Sequence, residues 1–266
     1  MKYMELNNGL PMPIVGSGTN TFGKVGNDFS KELRGDTLEV DQAVENGFCH
    51  FDSAQMYRNE EMLGEGLKKS GIARGKFFIT TKLDTFHGFG GEQWAHQEIA
   101  KSLEKLQTDH VDLLLIHEPW DNEDEMIKAW QILEEYYDKG VFKAIGVSNF
   151  KPEQLELIFN NCRIRPMVNQ IESHVGNWNH DVIAFNHAND VRTTAWGPLR
   201  GSRGSEALKE IGKRYGKTPA QVVLRYQIQR DVIVIPKSHD KERQAQCLDI
   251  FDFELNQEEC ETIAAL

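Results

Sequence analysis

The sequence lacks an excess of basic residues, and this absence limits its possible partners. Its 266 residues include 30 lysines and arginines against 41 aspartates and glutamates, which gives a net charge of −11 and a pI of about 5.3. Nucleic acids and anionic membrane surfaces bind basic patches, so we expect neither as a partner. An anionic ligand would have to be held by a few cations placed locally.

Long apolar runs and paired cysteines are also missing. No apolar run approaches the roughly 18 residues of a membrane-spanning helix, and residues 1–9 lack the apolar core of a signal peptide. The cysteines, Cys49, Cys162, Cys247 and Cys260, are scattered and form no C-x-x-C pair. We therefore expect reduced thiols and a cytoplasmic protein.

Motifs that would assign a different chemistry are absent as well. The Gly-x-Gly at 16–18 is too short for a G-x-G-x-x-G dinucleotide fingerprint, and there is no Walker A loop and no Gly-x-Ser-x-Gly elbow. His117-Glu118 lacks the rest of an H-E-x-x-H motif, and His174 and His180 have no partner at metal-ligand spacing. No metal site is expected.

The chain does contain a regular alternation of short apolar strands and amphipathic helices, preceded by a predicted hairpin over residues 1–13 with a two-residue turn at Asn8-Gly9. The predicted strands cover residues 14–18, 48–51, 76–82, 111–117, 144–147, 167–171, 192–195 and 232–235. The predicted helices cover residues 36–46, 59–70, 92–106, 125–139, 152–160, 181–188, 205–215, 219–230, 240–248 and 256–266.

This alternation predicts an α/β fold, a (β/α)₈ TIM barrel formed by a single domain over residues 1–266 with a short C-terminal tail. The N-terminal hairpin would close one end of the barrel. An open doubly wound sheet is the alternative, but it would normally carry a glycine-rich phosphate turn after the first strand, and that turn is missing.

In such a barrel, functional side chains lie at the C-terminal ends of the strands. Asp52 follows the second strand, Lys82 ends the third and His117 ends the fourth. Tyr57 lies in the loop after Asp52. Taken singly, Lys82 could be a charge at the sheet rim and His117 a structural histidine. Four such residues at consecutive strand ends favour one shared site.

The chemistry of these four side chains fits one task. A nearby Lys82 ammonium would lower the pKa of the Tyr57 phenol, and Asp52 would pair with Lys82 so that its charge is not left uncompensated. His117 would orient a substrate oxygen. Together they would form a general acid aimed at a carbonyl group.

The last repeat supplies a candidate anion site. Lys237, Ser238 and Arg243 lie around the start of a helix, where backbone N–H groups favour a phosphate. Barrels often bind phosphate near strands seven and eight. The alternative is an ordinary solvated helix start. Trp196 offers a flat face for stacking a ring, or else it is a core residue that closes the barrel.

Three stretches of the chain resemble signatures of the aldo-keto reductase family. Residues 47–64 read Gly-Phe-x-His-Phe-Asp-Ser-Ala-x-x-Tyr-x-Asn-Glu-x-x-x-Gly. Residues 145–150 together with 167–172 resemble the middle signature, and residues 235–243, Ile-Pro-Lys-Ser-x-x-x-x-Arg, resemble the third. The resemblance extends over essentially the whole chain, with the motifs in the right order.

The resemblance implies a barrel that binds NADP(H) without a Rossmann fold and reduces aldehydes or ketones to alcohols. Tyr57 would donate the proton, and Lys82 and Asp52 would adjust the pKa of its phenol. His117 would orient the carbonyl. The implied cofactor residues are Ser148, Asn149 and Gln170 at the nicotinamide carboxamide, Trp196 on its ring with Gly197, Pro198 and Leu199 following, and Lys237, Ser238 and Arg243 at the 2′-phosphate. The phosphate clamp implies NADPH over NADH.

The chain departs from the family pattern in places that bear on binding. Gln246-Cys247 stands where a Glu-Asn pair usually holds the adenine, which predicts weaker or rearranged adenine binding. Glu118 stands where many members have tryptophan, with Trp120 two positions on, which predicts a more polar pocket mouth. The short tail predicts an open and permissive pocket.

Two other functions use the same features. A regulatory barrel that only binds a cofactor does not need the four side chains Asp52, Tyr57, Lys82 and His117. Their joint presence therefore favours an enzyme. A barrel hydrolase or isomerase using Asp52 and His117 would need no nicotinamide. For the enzyme we expect a small carbonyl substrate as partner, no nucleic acid or membrane, and a monomer or weak oligomer.

Overall fold

A closed barrel of parallel strands forms the centre of the molecule. The computed structural model describes residues 1–86 and 88–266. In these residues an eight-stranded parallel sheet runs in sequence order. Val15 bridges to Val234, and the Gly16 N–H donates to the Val234 carbonyl at 2.8 Å, so the first and last strands join. The predicted (β/α)₈ barrel is confirmed.

The strands of the barrel are β3 (Ser17–Gly18), β4 (His50–Asp52), β5 (Phe78–Leu83), β6 (Val111–Ile116), β7 (Phe142–Ser148), β8 (Val168–Glu172), β9 (Arg192–Trp196) and β10 (Val232–Val234). The helices are α1 (Leu38–Glu45), α2 (Glu60–Lys69), α3 (Glu92–Lys105), α4 (Glu123–Asp138), α5 (Pro152–Asn161), α6 (His180–Ala188), α7 (Glu206–Tyr215), α8 (Pro219–Gln229), α9 (Lys241–Leu248) and α10 (Gln257–Ala264). The apolar sequence of β6 is buried at nearly every position, as expected for a strand covered on both faces.

An N-terminal hairpin, β1 (Tyr3–Glu5) and β2 (Pro11–Pro13), pairs antiparallel. Asn7 donates through its side chain to the Pro166 carbonyl at 3.1 Å, and Asn8 donates to the Lys143 carbonyl at 2.9 Å. Both carbonyls lie at or before the starts of barrel strands. The hairpin therefore covers the N-terminal end of the barrel and leaves the C-terminal end free for a site.

The predicted two-residue turn of this hairpin is wrong. Leu6 and Leu10 still pair, with the Leu6 N–H donating to the Leu10 carbonyl at 3.0 Å, so three residues form the connection. Gly9 is the last of them and has a φ of 83°. A type I turn followed by a left-handed residue is the usual three-residue solution, and glycine adopts it without strain.

Helix starts follow their capping residues. The expected capping boxes at Thr218 and Asn256 are both present. The predicted start of α4 at residue 125 is wrong by two residues, because Asn122 is the N-cap and its side chain accepts from the Glu125 N–H at 3.2 Å. The apolar pattern begins only at Met126, so it misplaces a helix whose first turn is acidic.

Candidate active site

A buried ion pair connects the second and third barrel strands. Asp52 ends β4 and Lys82 lies near the end of β5, and both side chains are almost fully buried. Lys82 Nζ lies 2.6 Å from Asp52 Oδ1 and donates to the Ser53 carbonyl at 2.9 Å. Gln170 Nε2, from β8 across the barrel, donates to the other carboxylate oxygen at 2.7 Å. Each charge is thus satisfied without water.

Tyr57 is placed beside this pair by a short 3₁₀ turn, Gln55–Tyr57, that follows β4. The Gln55 side chain fixes the turn, since its amide donates to the Glu98 carbonyl at 3.0 Å and its oxygen accepts from the Asp84 N–H at 2.8 Å. Lys82 Nζ lies 5.1 Å from the centre of the Tyr57 ring. The phenol and the ammonium are therefore in one cluster.

The effect expected of Lys82 on Tyr57 is outweighed by burial. Burial raises the pKa of the Tyr57 phenol, and the ammonium of Lys82 offsets this only in part. Lys82 thus lowers the pKa of the phenol as the sequence predicts, but the net pKa is raised because burial has the larger effect. Burial also opposes the charge on Lys82, but Asp52 foremost and then Tyr57 hold the pKa of that ammonium above its usual value. The cluster contains a neutral phenol beside a charged lysine.

His117 directly follows β6, and its ring packs edge-on against Tyr57, with 5.8 Å between ring centroids. Burial, with the charge of Lys82 second, lowers the pKa of His117 to about 3. Its Nδ1 atom is buried and has no hydrogen-bond partner among the described residues. At neutral pH this imidazole is uncharged and can present one N–H and one acceptor nitrogen.

One cavity of about 850 Å³ at the C-terminal end of the barrel contains these groups. Asp52, Tyr57 and His117 line it, whereas Lys82 lies behind Asp52 and Tyr57 and is not part of its wall. All the residues expected to bind a cofactor also line it: Ser148, Asn149, Gln170, Trp196, Gly197, Pro198, Leu199, Lys237, Ser238 and Arg243. Gln246 and Cys247, which replace the usual Glu-Asn pair, lie along the same wall.

The middle of the cavity presents amide and indole groups. Asn149 follows β7 with a φ of 62°, a left-handed conformation that asparagine tolerates better than most residues. The Trp196 indole N–H donates to Asn149 Oδ1 at 2.8 Å. Ser148 and Gln170 are buried beside them. Trp196 is therefore at the cavity wall and half-buried, not a core residue that closes the barrel.

The far end of the cavity is positively charged. Lys237 Nζ donates to Thr21 Oγ1 at 2.8 Å and forms no ion pair with a carboxylate of the described chain. Burial, with Arg200 as the second cause, lowers the pKa of Lys237. Arg243 lies in the first turn of α9, exposed, with its Nε 3.6 Å from Asp240. Two cations at a helix start, one of them without a carboxylate partner among the described residues, form a suitable anion site.

Sequence reasoning missed three contributors to the cavity. Arg200 lies over the Trp196 ring at 4.9 Å and pairs with Glu172. Its position directly after residues 196–199 is the sequence feature that could have indicated a role in the cavity. Phe29 packs edge-on against Tyr57 at 6.1 Å from a polar loop with no periodic pattern. Thr21 orients Lys237 from the same loop, and nothing in the sequence linked them.

Residues 1–86 and 88–266 contain no group of three or more histidine, cysteine or acidic side chains that could hold a metal ion. In the same residues, no helix combines the length and apolar composition needed to cross a bilayer.

Comparison with known proteins gives consistent matches over nearly the full length. The model of the aldo/keto reductase family matches residues 14–266. A glyoxal reductase of Bacillus subtilis is 38% identical over 266 residues, covering 99% of this chain and 92% of its own.

Solved structures show the same likeness. An aldo/keto reductase from Brucella melitensis superposes with a TM-score of 0.90 at 35% identity, covering 99% of this chain and 98% of that one. The Bombyx mori aldo-keto reductase in complex with NADP superposes with a TM-score of 0.86 at 31% identity, covering 99% and 92%.

Proposed function

Since the chain belongs to the aldo/keto reductase family, and is an oxidoreductase that acts on carbonyl groups with NADP(H), we propose that it reduces aldehydes and ketones with NADPH and that Tyr57 donates the proton. The observation that carries the proposal is the neutral Tyr57 phenol held beside a charged Lys82 at the wall of the cavity. The same cavity reaches the unpaired Lys237.

The residues present fit a dinucleotide phosphate. The cavity runs from Tyr57 and His117 to Lys237 and Arg243, and its buried polar groups, Ser148 and Gln170, lie between. A phosphate at Lys237 would relieve the cost of a half-buried cation that no carboxylate of the described residues compensates. Ser148, Asn149 and Gln170 would hold the carboxamide, and Trp196 with residues 197–199 would flank the ring. When bound, NADPH supplies the hydride for the carbonyl carbon.

The buried cluster suits proton donation. A raised pKa keeps Tyr57 protonated at neutral pH, so the phenol is ready to give its proton to a developing alkoxide. Lys82 then stabilises the phenolate that remains, because its ammonium already lies against the ring. Asp52 keeps that ammonium charged and in place through the 2.6 Å contact.

His117 supplies orientation. Its pKa of about 3 keeps the imidazole neutral at neutral pH, so it does not compete with Tyr57 as the proton source. A neutral imidazole next to the phenol can donate one hydrogen bond to the substrate oxygen and hold it in line with Tyr57.

We further propose small aldehydes and dicarbonyl compounds as substrates. The similarity of this chain to a glyoxal reductase supports this proposal. The aromatic walls formed by Phe29 beside Tyr57 and Phe86 beside His117 suit a compact carbonyl compound. The free thiols of the chain suit a cytoplasmic location.

The test is an assay of NADPH and NADH consumption with glyoxal, methylglyoxal, simple aldehydes and ketones. We expect turnover with NADPH, and a kcat/KM for NADPH that falls about tenfold or more in Lys237→Ala, because one charged contact to the 2′-phosphate is lost. Activity with NADH should fall less. Lys241→Ala is the matched control, since Lys241 pairs with Glu45 at the surface and does not line the cavity. NADPH binding without turnover of any carbonyl would instead favour a cofactor-sensing protein.

A further inference from the structure

We propose that Glu118 selects carbonyl substrates by charge, so that the enzyme excludes anionic substrates such as oxo acids and favours neutral and cationic ones. This inference rests on the proposed reductase activity. It assigns a specificity-determining role to a residue next to His117 that takes no part in the proton transfer described above.

The backbone of Glu118 is held rigidly at the end of β6. Thr85, which is almost fully buried, accepts a hydrogen bond from the Glu118 N–H at 3.0 Å. The same hydroxyl donates to the Glu118 carbonyl at 2.7 Å. Because both backbone groups are bound to one buried side chain, the carboxylate starts from a fixed position directly beside His117.

The side chain of Glu118 is directed into the cavity. It is half-buried and lines the same wall as Tyr57 and His117. One carboxylate oxygen accepts a hydrogen bond from Asn149 Nδ2. The carboxylate is close enough to Tyr57 that its negative charge contributes to raising the pKa of that phenol. A charged substrate held at Tyr57 would therefore interact electrostatically with the carboxylate of Glu118.

No cation neutralises this charge in the part of the chain that the structure describes. Glu118 forms no ion pair there, and the only hydrogen-bonding partner of its carboxylate is the neutral amide of Asn149. Other carboxylates of the barrel mouth differ in this respect, since Asp52 is paired with Lys82 and Glu172 with Arg200. Among residues 1–86 and 88–266, Glu118 is thus a carboxylate beside the reacting position that no cation pairs with.

The cavity consequently has two ends of opposite sign. β6 and β10 are the fourth and eighth strands of the closed barrel, so they face each other across it. Lys237 and Arg243 follow β10, whereas Glu118 follows β6. An anionic cofactor is attracted to the first end, and an anionic substrate is repelled from the second. One unit charge acting over several ångströms at the intermediate dielectric constant of a half-buried site changes binding by roughly tenfold or more.

The contact with Asn149 allows a different role, in which Glu118 only positions that amide for the cofactor. The two roles predict different results. A positioning role changes the KM for NADPH and affects all carbonyl substrates alike. A charge-selecting role changes the ranking of substrates that differ only in charge.

The experiment compares 4-carboxybenzaldehyde, benzaldehyde and 4-(trimethylammonio)benzaldehyde in wild type, Glu118→Gln and Asp121→Asn, at saturating NADPH. Gln keeps an oxygen that accepts from Asn149 but removes the charge. Asp121 is the matched control because it lies three residues on, is exposed and does not line the cavity, so its loss changes the net charge equally. Comparing variants cancels the electronic effects of the substituents.

We expect the ratio of kcat/KM for the cationic aldehyde to that for the anionic one to fall about tenfold in Glu118→Gln, mainly through a lower KM for the anionic aldehyde. The ratio in Asp121→Asn should equal that of the wild type. An unchanged ratio in Glu118→Gln, or an equal change for all three aldehydes, would overturn the proposal. Absence of turnover by the wild type with every aldehyde would instead count against the proposed reductase function.

Discussion

At the scale of single residues, the ion pair between Lys82 and Asp52 is the feature on which the site depends most. Both side chains are almost fully buried, and their contact is 2.6 Å long. A buried pair is weak evidence for extra stability, but removing one partner leaves an uncompensated charge in a medium of low dielectric constant. The pair therefore couples the stability of the barrel to the chemistry of Tyr57.

This coupling gives a prediction for substitutions at the pair. Lys82→Met should lower the free energy of unfolding by about 3 kcal/mol, because Asp52 is left charged and buried. Adding Asp52→Asn should recover part of that loss, since the neutral amide still accepts from Gln170. Urea unfolding of wild type, both single variants and the double variant measures the interaction. Additive losses would show that the two charges do not stabilise each other.

The sequence predicts which of these residues come together, but it does not predict the direction of the pKa shift at Tyr57. Asp52, Lys82 and His117 stand at the ends of consecutive predicted strands, and a barrel brings such ends together. The sign of the pKa shift at Tyr57 could not be read in this way. It depends on how deeply the phenol is buried, and burial follows from the 3₁₀ turn and from Phe29, which no local pattern indicates.

At the scale of elements, the contact between β7 and β8 requires a glycine. A methyl group on Gly146 would lie 2.5 Å from the Val168 carbonyl oxygen and 2.8 Å from Leu115 Cδ2. The first of these neighbours is backbone of the adjacent strand, so it cannot turn away as a side chain would. The two strands also supply Ser148 and Gln170 to the cavity, so their spacing sets part of the candidate cofactor site.

We predict that Gly146→Ala lowers the free energy of unfolding by about 1–3 kcal/mol, through overpacking of these strands. Gly75→Ala is the matched control, because an added methyl group there meets nothing within 4 Å and the backbone is not left-handed. That variant should be neutral or stabilised by up to about 1 kcal/mol. Denaturant midpoints measure both. Equal effects in the two variants would contradict the packing argument.

Elements differ in how well the sequence predicts their ends. Thr218 and Asn256 mark helix starts correctly, because a capping box is a local chemical signal. The apolar pattern does not mark Asn122 as a helix start, because the acidic first turn after it has no apolar residue. The sequence predicts a hairpin turn that is one residue too short, since Asn-Gly occurs both in two-residue turns and at the end of three-residue turns.

At the scale of the whole molecule, buried histidines tie stability to pH. Burial lowers the pKa of His50 to about 4 and that of His117 to about 3. In the unfolded chain both would bind protons below about pH 6.5, while the native protein keeps them neutral. The unfolded state then binds more protons, so stability falls as the pH falls from about 6.5 towards 4.

For His50 alone, the expected loss between pH 7 and pH 4 is about 3 kcal/mol. The free energy of unfolding, measured by urea titration at a series of pH values, should therefore decline steadily over this interval. In His50→Asn the decline should be smaller by about that amount, whatever the variant does to stability at pH 7. The same decline in wild type and variant would mean that His50 does not titrate as its burial requires.

The number of strand–helix repeats in the sequence correctly predicts that the barrel is closed. Eight strand–helix units imply a closed sheet, and the bridge between Val15 and Val234 completes it. The polar loop over residues 19–35 could not be placed from its sequence. It nevertheless carries Phe29 to Tyr57 and Thr21 to Lys237, so it connects the two ends of the candidate site.

Tyr57 is the proposed proton donor, and Tyr57→Phe tests that role directly. The substitution keeps the ring between His117 and Phe29 and removes only the hydroxyl. Carbonyl reduction with NADPH, and NADPH binding by quenching of tryptophan fluorescence, are measured side by side in variant and wild type. We expect turnover to fall by about 10²–10⁴-fold, the usual contribution of a general acid, with NADPH affinity unchanged within about twofold. Full turnover by the variant would contradict the assignment, because the proton would then come from another group.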